Sequence, residues 1–223
     1  HAEKSFYEAI DHNYFATEFH IKMFMENLYN RTVIKGATFN GKVVRTGWPM
    51  EYMESTLHPF QNMRKRDLIL FPHRIAPEKQ VEIFKDLEQS LPQYEFVVCQ
   101  EQQLSKDEYH KLLGESKMIF SANLQETLGI SMYEGAIVGA IPLVPDRLSY
   151  SEMYLEDFKY PSEWTESWES YLEHKDKLCQ LIMDMMDDHE LLLTKIKEQK
   201  EVLQEQFFSA GILIEHLNEY RRS

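Results

Sequence analysis

The chain has 223 residues, 43% of them hydrophobic and 13% aromatic, and a formal net charge of −13. That composition supports a packed core, excludes a wholly disordered segment, and gives an acidic body unsuited to wrapping a polyanion such as nucleic acid. Two cysteines, Cys99 and Cys179, give neither a disulfide framework nor zinc spacing, and no apolar run or signal peptide marks a membrane or secretory route, so a cytoplasmic protein is expected.

The chain opens on His1 rather than Met, as a fragment or a tagged segment would. Residues Ser5 to Asn30 carry Phe6, Tyr7, Ile10, Phe15, Phe19, Met23, Phe24 and Leu28 near helical spacing and are predicted to be helical. Val43 to Arg45 is a short strand candidate, broken by Gly47-Trp48-Pro49. Met50 to Phe60 reads as a short helix and loop, and Arg64-Lys65-Arg66 as a solvated loop. Asp67 to Pro72 is a continuous apolar run suited to a buried parallel strand. Ala76-Pro77-Glu78 then opens a helix running to about Ser90, with proline and glutamate in its first turn. A strand at Tyr94 to Val98, a helix at Lys106 to Ser116 and a strand at Met118 to Phe120 follow. The short alternation predicts an α/β fold with a Rossmann-like open parallel sheet. Beyond Tyr160-Pro161 the pattern is helical, over Trp164 to Met186, Leu191 to Phe208 and Ala210 to Tyr220. Within it, Met183, Met185 and Met186 read as helix core, and Trp164 and Trp168 as packing the last helices onto the sheet.

The most informative stretch is Ser121 to Asp146, SANLQETLGISMYEGAIVGAIPLVPD. It reads as loop, helix over Ile130 to Gly139, and buried strand over Ile141 to Val144. The free amides and dipole of the first helical turn make the Thr127–Ser131 region a seat for an anion such as phosphate. Glu126 and Glu134 bracket that seat. Carboxylates beside a phosphate repel it, so their task is to accept hydrogen bonds from neutral hydroxyls. A ligand with phosphates in the middle and hydroxylated rings at both ends, such as a nucleotide-sugar, fits. Glu126 also suits a plain first-turn carboxylate, worth around 1 kcal/mol. A second cluster, Arg74 and Lys79 in F-P-H-R-I-A-P-E-K-Q, lies where a strand's carboxyl end meets a helix, so the two cations can hold a diphosphate there. Alone, the same pair would read as helix-capping surface residues. The nine histidines show no metal-ligand spacing, and no protein metal site is expected.

E-T-L-G-I-S-M-Y-E-G-A-I-V-G-A-I-P-L-V resembles the E-x7-E signature of retaining GT-B glycosyltransferases, family four in particular. It departs at Gly135, where Ala is usual, a change expected to loosen helix packing. His73-Arg74 to Lys79-Gln80 resembles that family's G-R-L-x-P-E-K-G, with His73 and Gln80 in place of glycines. The resemblance implies the C-terminal, nucleotide-sugar-binding half of such an enzyme, with extra C-terminal helices. Residues 1–46 would be a remnant of the acceptor domain and crossover, 47–163 the Rossmann-like domain, and 164–223 a helical segment packed on it. It implies that Glu126, Arg74 and Lys79 act in transfer, Glu126 on the sugar hydroxyls, the two cations on the leaving diphosphate. His73, Ser121, Thr127, Leu128, Gly129 and Ile130 would complete the donor site, with Glu134 on the ribose. It implies a UDP or GDP sugar as substrate, no cofactor and no obligatory metal. Its partners would be a missing N-terminal domain and a glycan, lipid or modified nucleic-acid base as acceptor, leaving this segment alone inactive. A nucleotide-sugar epimerase of the same architecture and a non-catalytic nucleotide-sugar-binding module are the alternatives.

Overall fold

A computed structural model describes residues 2–27 and 42–221. The chain forms two compact units, His1–Glu51 with Gln204–Ser223, and Tyr52–Leu203.

In the first unit, helix α1 (Ala2–Ala9) leads into strand β1 (His12–Phe15), then helix α2 (Glu18–Met25) and strand β2 (Lys42–Arg45). The two strands pair in parallel. The expected helix over Ser5 to Asn30 is therefore interrupted, and its last three residues lie outside the described ones. In His12-Asn13-Tyr14-Phe15 the aromatic spacing that mimics a helix is strand alternation: Asn13 is buried and Tyr14 exposed. Thr17 caps α2 by accepting from the His20 amide at 3.1 Å. Past β2, the Trp48 and Met50 amides donate to the Phe207 and Phe208 carbonyls at 2.7 and 2.8 Å. Gly47, just ahead of Trp48, turns the chain at φ +72°, and a Cβ there would stand 2.6 Å from the Phe207 carbonyl oxygen.

The second unit runs through helix α3 (Tyr52–Leu57), β3 (Arg66–Phe71), α4 (Val81–Ser90), β4 (Glu95–Val98), α5 (Lys106–Glu115), β5 (Ser116–Phe120), α6 (Ile130–Ile137), β6 (Ile141–Pro145), α7 (Tyr150–Met153), β7 (Lys159–Tyr160), α8 (Trp168–Asp187) and α9 (His189–Gln206). The last three residues of α9, from Gln204, and helix α10 (Gly211–Tyr220) belong to the first. Strands β3 to β7 form one parallel sheet in the order β4-β3-β5-β6-β7, the open α/β architecture that the sequence predicts. Its core strands are buried on both faces: Leu68 to Phe71 and Met118 to Phe120 are fully inaccessible, as continuous apolar runs require. Ile83, Phe84 and Leu87 of α4 join that core, as do Tyr171, Leu178, Ile182, Met185 and Met186 of α8. The methionines are thus helix core. Trp164 packs on the core too, but in a 3-10 turn (Ser162–Trp164), since Ser167 caps α8 and starts it later than expected. Trp168 stays 38% exposed, its ring against Tyr171. The basic run is not merely a solvated loop: Arg66 opens β3 and pairs with Glu95 and Glu115, and Lys65 donates to the Val138 carbonyl at 2.8 Å. Burial pulls the Lys65 ammonium down to about 7.

Gly135 corrects a packing expectation. A Cβ there would stand 2.0 Å from Ile119 Cδ1 on β5, so the glycine lets α6 approach the sheet more closely. Gly135→Ala gains roughly 1 kcal/mol of helix propensity. It must also repack a fully buried Ile119, a cost of about 1–3 kcal/mol. The expected result is a net loss of stability, read as a lower midpoint in urea unfolding; an unchanged or higher midpoint would overturn it.

Candidate functional site

The carboxyl ends of β3, β4, β5 and β6 share one rim of the sheet, where open α/β sheets bind ligands. From β3 the chain passes through Pro72, His73 and Arg74 to an extended Ala76 and a 3-10 turn over Pro77–Lys79. Lys79 therefore does not sit in the first turn of a continuous helix, as the sequence suggests. Gln80 breaks the path with a left-handed φ of 54°, and α4 starts after it. A non-glycine residue there costs roughly 1 kcal/mol. Gln80 Nε2 offsets it by donating to the carbonyls of Ala122 and Thr165, each at 2.6 Å. The turn points Lys79 inward. Its ammonium is buried and donates to the Gln125 carbonyl at 2.7 Å and to Glu126 Oε2 at 3.1 Å. Arg74 is exposed and pairs with Glu78.

Glu126 is the anion at the helix N-terminus. Its carboxylate accepts from its neighbour's amide, Thr127 N–H, at 2.9 Å and from the Gly129 amide. Burial pushes its pKa up, but the two amides and the Lys79 ammonium outweigh that and hold the carboxyl below its ordinary range. The seat expected for a phosphate is thus lined by a carboxylate of the chain's own, and Glu126 neutralises a cation distant in sequence. Gly129 makes this possible: it caps α6 at φ +62°, and a Cβ would stand 2.6 Å from Cε1 of the Tyr150 ring.

Glu134 is half-buried on α6 and accepts from the Tyr109 hydroxyl of α5 at 2.9 Å. Burial raises its pKa, against the opposing pull of the Tyr109 bond and the Lys106 charge. Beside it lies a cavity of about 400 Å³, large enough for a small-molecule site, with His73, Arg74, Cys99, Gln100, Gln103 and Tyr109 in its wall. His73 is buried, and its imidazole is pushed down to about 3, by burial first and by Lys79 second, with Glu126 opposing, so it is neutral at physiological pH. Ser121 is fully buried, its hydroxyl 3.3 Å from that of Tyr150. Leu128 and Gly129 are buried, whereas Thr127 and Ile130 are exposed.

Among the sequence-predicted residues, then, the fold joins Lys79 to Glu126 directly, sets His73 and Arg74 in one cavity wall, and turns Arg74's charge to Glu78. Sequence reasoning missed Tyr109, Asn123 and Arg147. Asn123 is fully buried and donates to Glu126 Oε2 at 2.9 Å. Arg147 donates to the carbonyls of Ala122 and Asn123, both at 2.7 Å, to those of Ser162 and Thr165, and to the Thr165 hydroxyl. The one available signal was compositional: Asn123 is a polar residue three positions past an apolar strand and three ahead of Glu126.

No protein-family model matches the chain, and no curated protein does. Solved structures do. The pneumococcal O-GlcNAc transferase GtfA, in complex with UDP and GlcNAc, superposes with a TM-score of 0.64 at 12% identity, over 98% of this chain and 46% of its own. Sucrose-phosphate synthase from Thermosynechococcus elongatus gives 0.60 at 14% identity, over 99% and 60%. Anabaena HepE, in complex with UDP and glucose, gives 0.58 at 13% identity, over 94% and 62%. The chain spans about half the length of GtfA and about three fifths of the other two. The fold is that of GT-B glycosyltransferases.

Proposed function

We propose that this chain, with its GT-B glycosyltransferase fold, is the donor-binding half of a retaining glycosyltransferase. It holds a nucleotide-diphosphate sugar and passes the glycosyl group, with retained configuration, to an acceptor bound by another part of the full-length protein. The observation that carries this reading is the meeting of Lys79 and Glu126, 3.1 Å apart at the carboxyl rim of the sheet beside the cavity wall. A cation for the diphosphate and a carboxylate for hydroxyls stand side by side there. GtfA and HepE hold UDP, which makes a uridine donor the first to try.

Each group has a task. Lys79 and Arg74 stabilise the charge that grows on the departing diphosphate, which is electrostatic catalysis by groups already in place, and we assign that task to these cations rather than to a metal. Glu126, held ionised, accepts from the hydroxyls of the sugar and so orients its anomeric carbon. Glu134 accepts from the ribose hydroxyls, with Tyr109 steadying its carboxylate from the other side. Donor binding also redistributes a charge already in use: Lys79 turns part of its attraction from Glu126 to the diphosphate.

Calorimetry with UDP and UDP-sugars, and turnover by the full-length protein, test these roles. Glu134→Ala is expected to weaken UDP roughly tenfold through loss of a charged hydrogen bond. Glu126→Gln is expected to bind UDP at least as well as the parent, because Lys79 is released from a competing carboxylate, yet to lose turnover. Equal losses for both variants on both ligands would mean that they act through folding, and no binding of any nucleotide-sugar would sink the reading.

A further inference from the structure

The opposite edge of the sheet carries a cationic opening that the roles above leave unused. Arg64 and Lys65 lead into β3, Lys117 is the second residue of β5, and Gly139 stands ahead of β6. All four gather where the parallel strands begin, a strand's length, or roughly 17–20 Å, from the carboxyl rim. Arg64, Lys65 and Lys117 line two cavities in common, of about 630 and 650 Å³. The first also takes in Asn62, Gly139, Leu193 and the opening turn of α9 at His189 and Glu190. A chain with a formal net charge of −13 thus sets three cations around one opening.

The carboxylates nearby are mostly committed. Asp67 pairs with Lys117 at 2.6 Å and Glu115 with Arg66 at 3.1 Å, all four in the wall of the second cavity. Glu190, in the first, is 81% exposed and stands 3.9 Å from His189 Nδ1. Among the described residues no carboxylate lies within ion-pair distance of Arg64 or Lys65. Lys65 gives one hydrogen bond, to the Val138 carbonyl at the end of α6, and His189 Nε2 gives another to the Gly139 carbonyl at 3.0 Å. Capping of α6 accounts for those two bonds. It leaves two of the three hydrogens on the Lys65 ammonium, and the exposed Arg64 guanidinium, without an acceptor among the described residues. Burial without a counter-ion is what pulls Lys65 down to about 7, and an arriving anion would supply the missing charge.

We infer that this edge holds a second ligand site, separate from the donor site, where Arg64, Lys65 and Lys117 receive the dianionic end of a small phosphate monoester. The cavity is larger than a bare phosphate needs, and Asn62 and Leu193 offer the rest of the molecule one polar and one apolar contact. A free small molecule is favoured over a lipid phosphate because an anionic bilayer repels so acidic a chain. The inference does not rest on the proposed function.

The test is calorimetry of the full chain with sulfate, a tetrahedral dianion whose charge stays constant over the range used, at fixed ionic strength. The parent is expected to bind it saturably. Lys65→Met should weaken binding roughly tenfold and Arg64→Ser, at a more exposed charge, roughly threefold. Arg74→Ser, at the other edge, should leave this site unchanged. Between about pH 7 and about pH 9 the parent should weaken roughly tenfold, because above about 7 Lys65 must take up a proton to meet the anion. Lys65→Met should lose that dependence. The other groups facing Lys65 are Arg64, Lys117, Asp67, Glu115, Glu190 and His189, whose lowered pKa leaves its imidazole neutral over this range. Glucose 6-phosphate should bind at least as tightly as sulfate and suffer from the same two variants. Binding that does not saturate, that survives Arg64→Ser and Lys65→Met undiminished, or that ignores pH overturns the inference. Arg64→Ser decides the matter even where Lys65→Met, which removes a helix cap, does not fold. Cosedimentation with phosphatidic acid vesicles is expected to fail, and cosedimentation that Arg64→Ser abolishes would overturn the assignment to a small molecule.

Discussion

Lys79→Met is expected to lower UDP affinity about a hundredfold while leaving uridine binding nearly unchanged, and to cost the fold about 3 kcal/mol at neutral pH. Both effects come from one buried ammonium. With side-chain exposures of 10% and 17%, Lys79 and Glu126 form an ion pair that solvent screens little. Removing the cation strands the carboxylate, and breaking such a pair typically costs 3–5 kcal/mol. The lower end applies here, because Glu126 keeps the Thr127 and Gly129 amides and the Asn123 side chain. The pH dependence gives a second readout. The folded-state pKa of Glu126 lies below its unfolded value of about 4.3, so its contribution is present above that pH and is lost as pH falls through the lowered folded value. The stability gap between parent and Lys79→Met should therefore be full near pH 7 and narrow below about pH 4. Chemical unfolding at several pH values, alongside calorimetry with UDP and uridine, checks both parts. A gap independent of pH, or equal losses for UDP and uridine, would refute the assignment.

Arg147→Met should be the other severe change, at about 2–4 kcal/mol and a melting point roughly 5–15 °C lower. The Arg147 guanidinium reaches four carbonyls and a hydroxyl, and no carboxylate lies within ion-pair distance of it among the described residues. Burial lowers its pKa, a sign that holding the charge there is itself unfavourable and that the hydrogen bonds must outweigh it. The loss stays below the simple sum because several acceptors keep a partner. The Ala122 and Thr165 carbonyls retain Gln80 Nε2, and the Ser162 carbonyl retains the Thr165 amide. The Asn123 carbonyl is the acceptor left bare. Because Asn123 and Glu126 share that loop, UDP-sugar binding should weaken even at temperatures where Arg147→Met remains folded. Arg147→Lys, a point charge that cannot reach both sides of the loop, should recover only part of either loss. Differential scanning calorimetry and nucleotide titration at 15 °C separate the two effects, and a variant within 1 °C of the parent would contradict the role given to Arg147.

The sheet was legible because burial on both faces leaves strands such as Leu68 to Phe71 no polar residue to hide. The Lys79–Glu126 meeting was legible as two motifs, each at a strand's carboxyl end. What escaped had no local pattern. Strand β7 has only two residues, too few for any period. The aromatics around β1 satisfied a helical spacing by coincidence, and the strand became visible only through its pairing with β2. Gln80 occupies a left-handed position that usually announces itself by glycine, and its side-chain bonds to Ala122 and Thr165 are long-range. Tyr109, Asn123 and Arg147 work through partners that only folding brings near, and a carbonyl acceptor carries no residue identity for a sequence to display.

The shortness of β7 matters beyond topology. A sheet's outer strand offers unpaired amides and carbonyls to any extended chain that drifts past, which is how sheets recruit one another into aggregates. Here that border is two residues long. Pro161 follows it directly, and Lys159 at its start is tied to Asp146 and Glu156. A concentrated solution should on this account not polymerise by growing the sheet past β7.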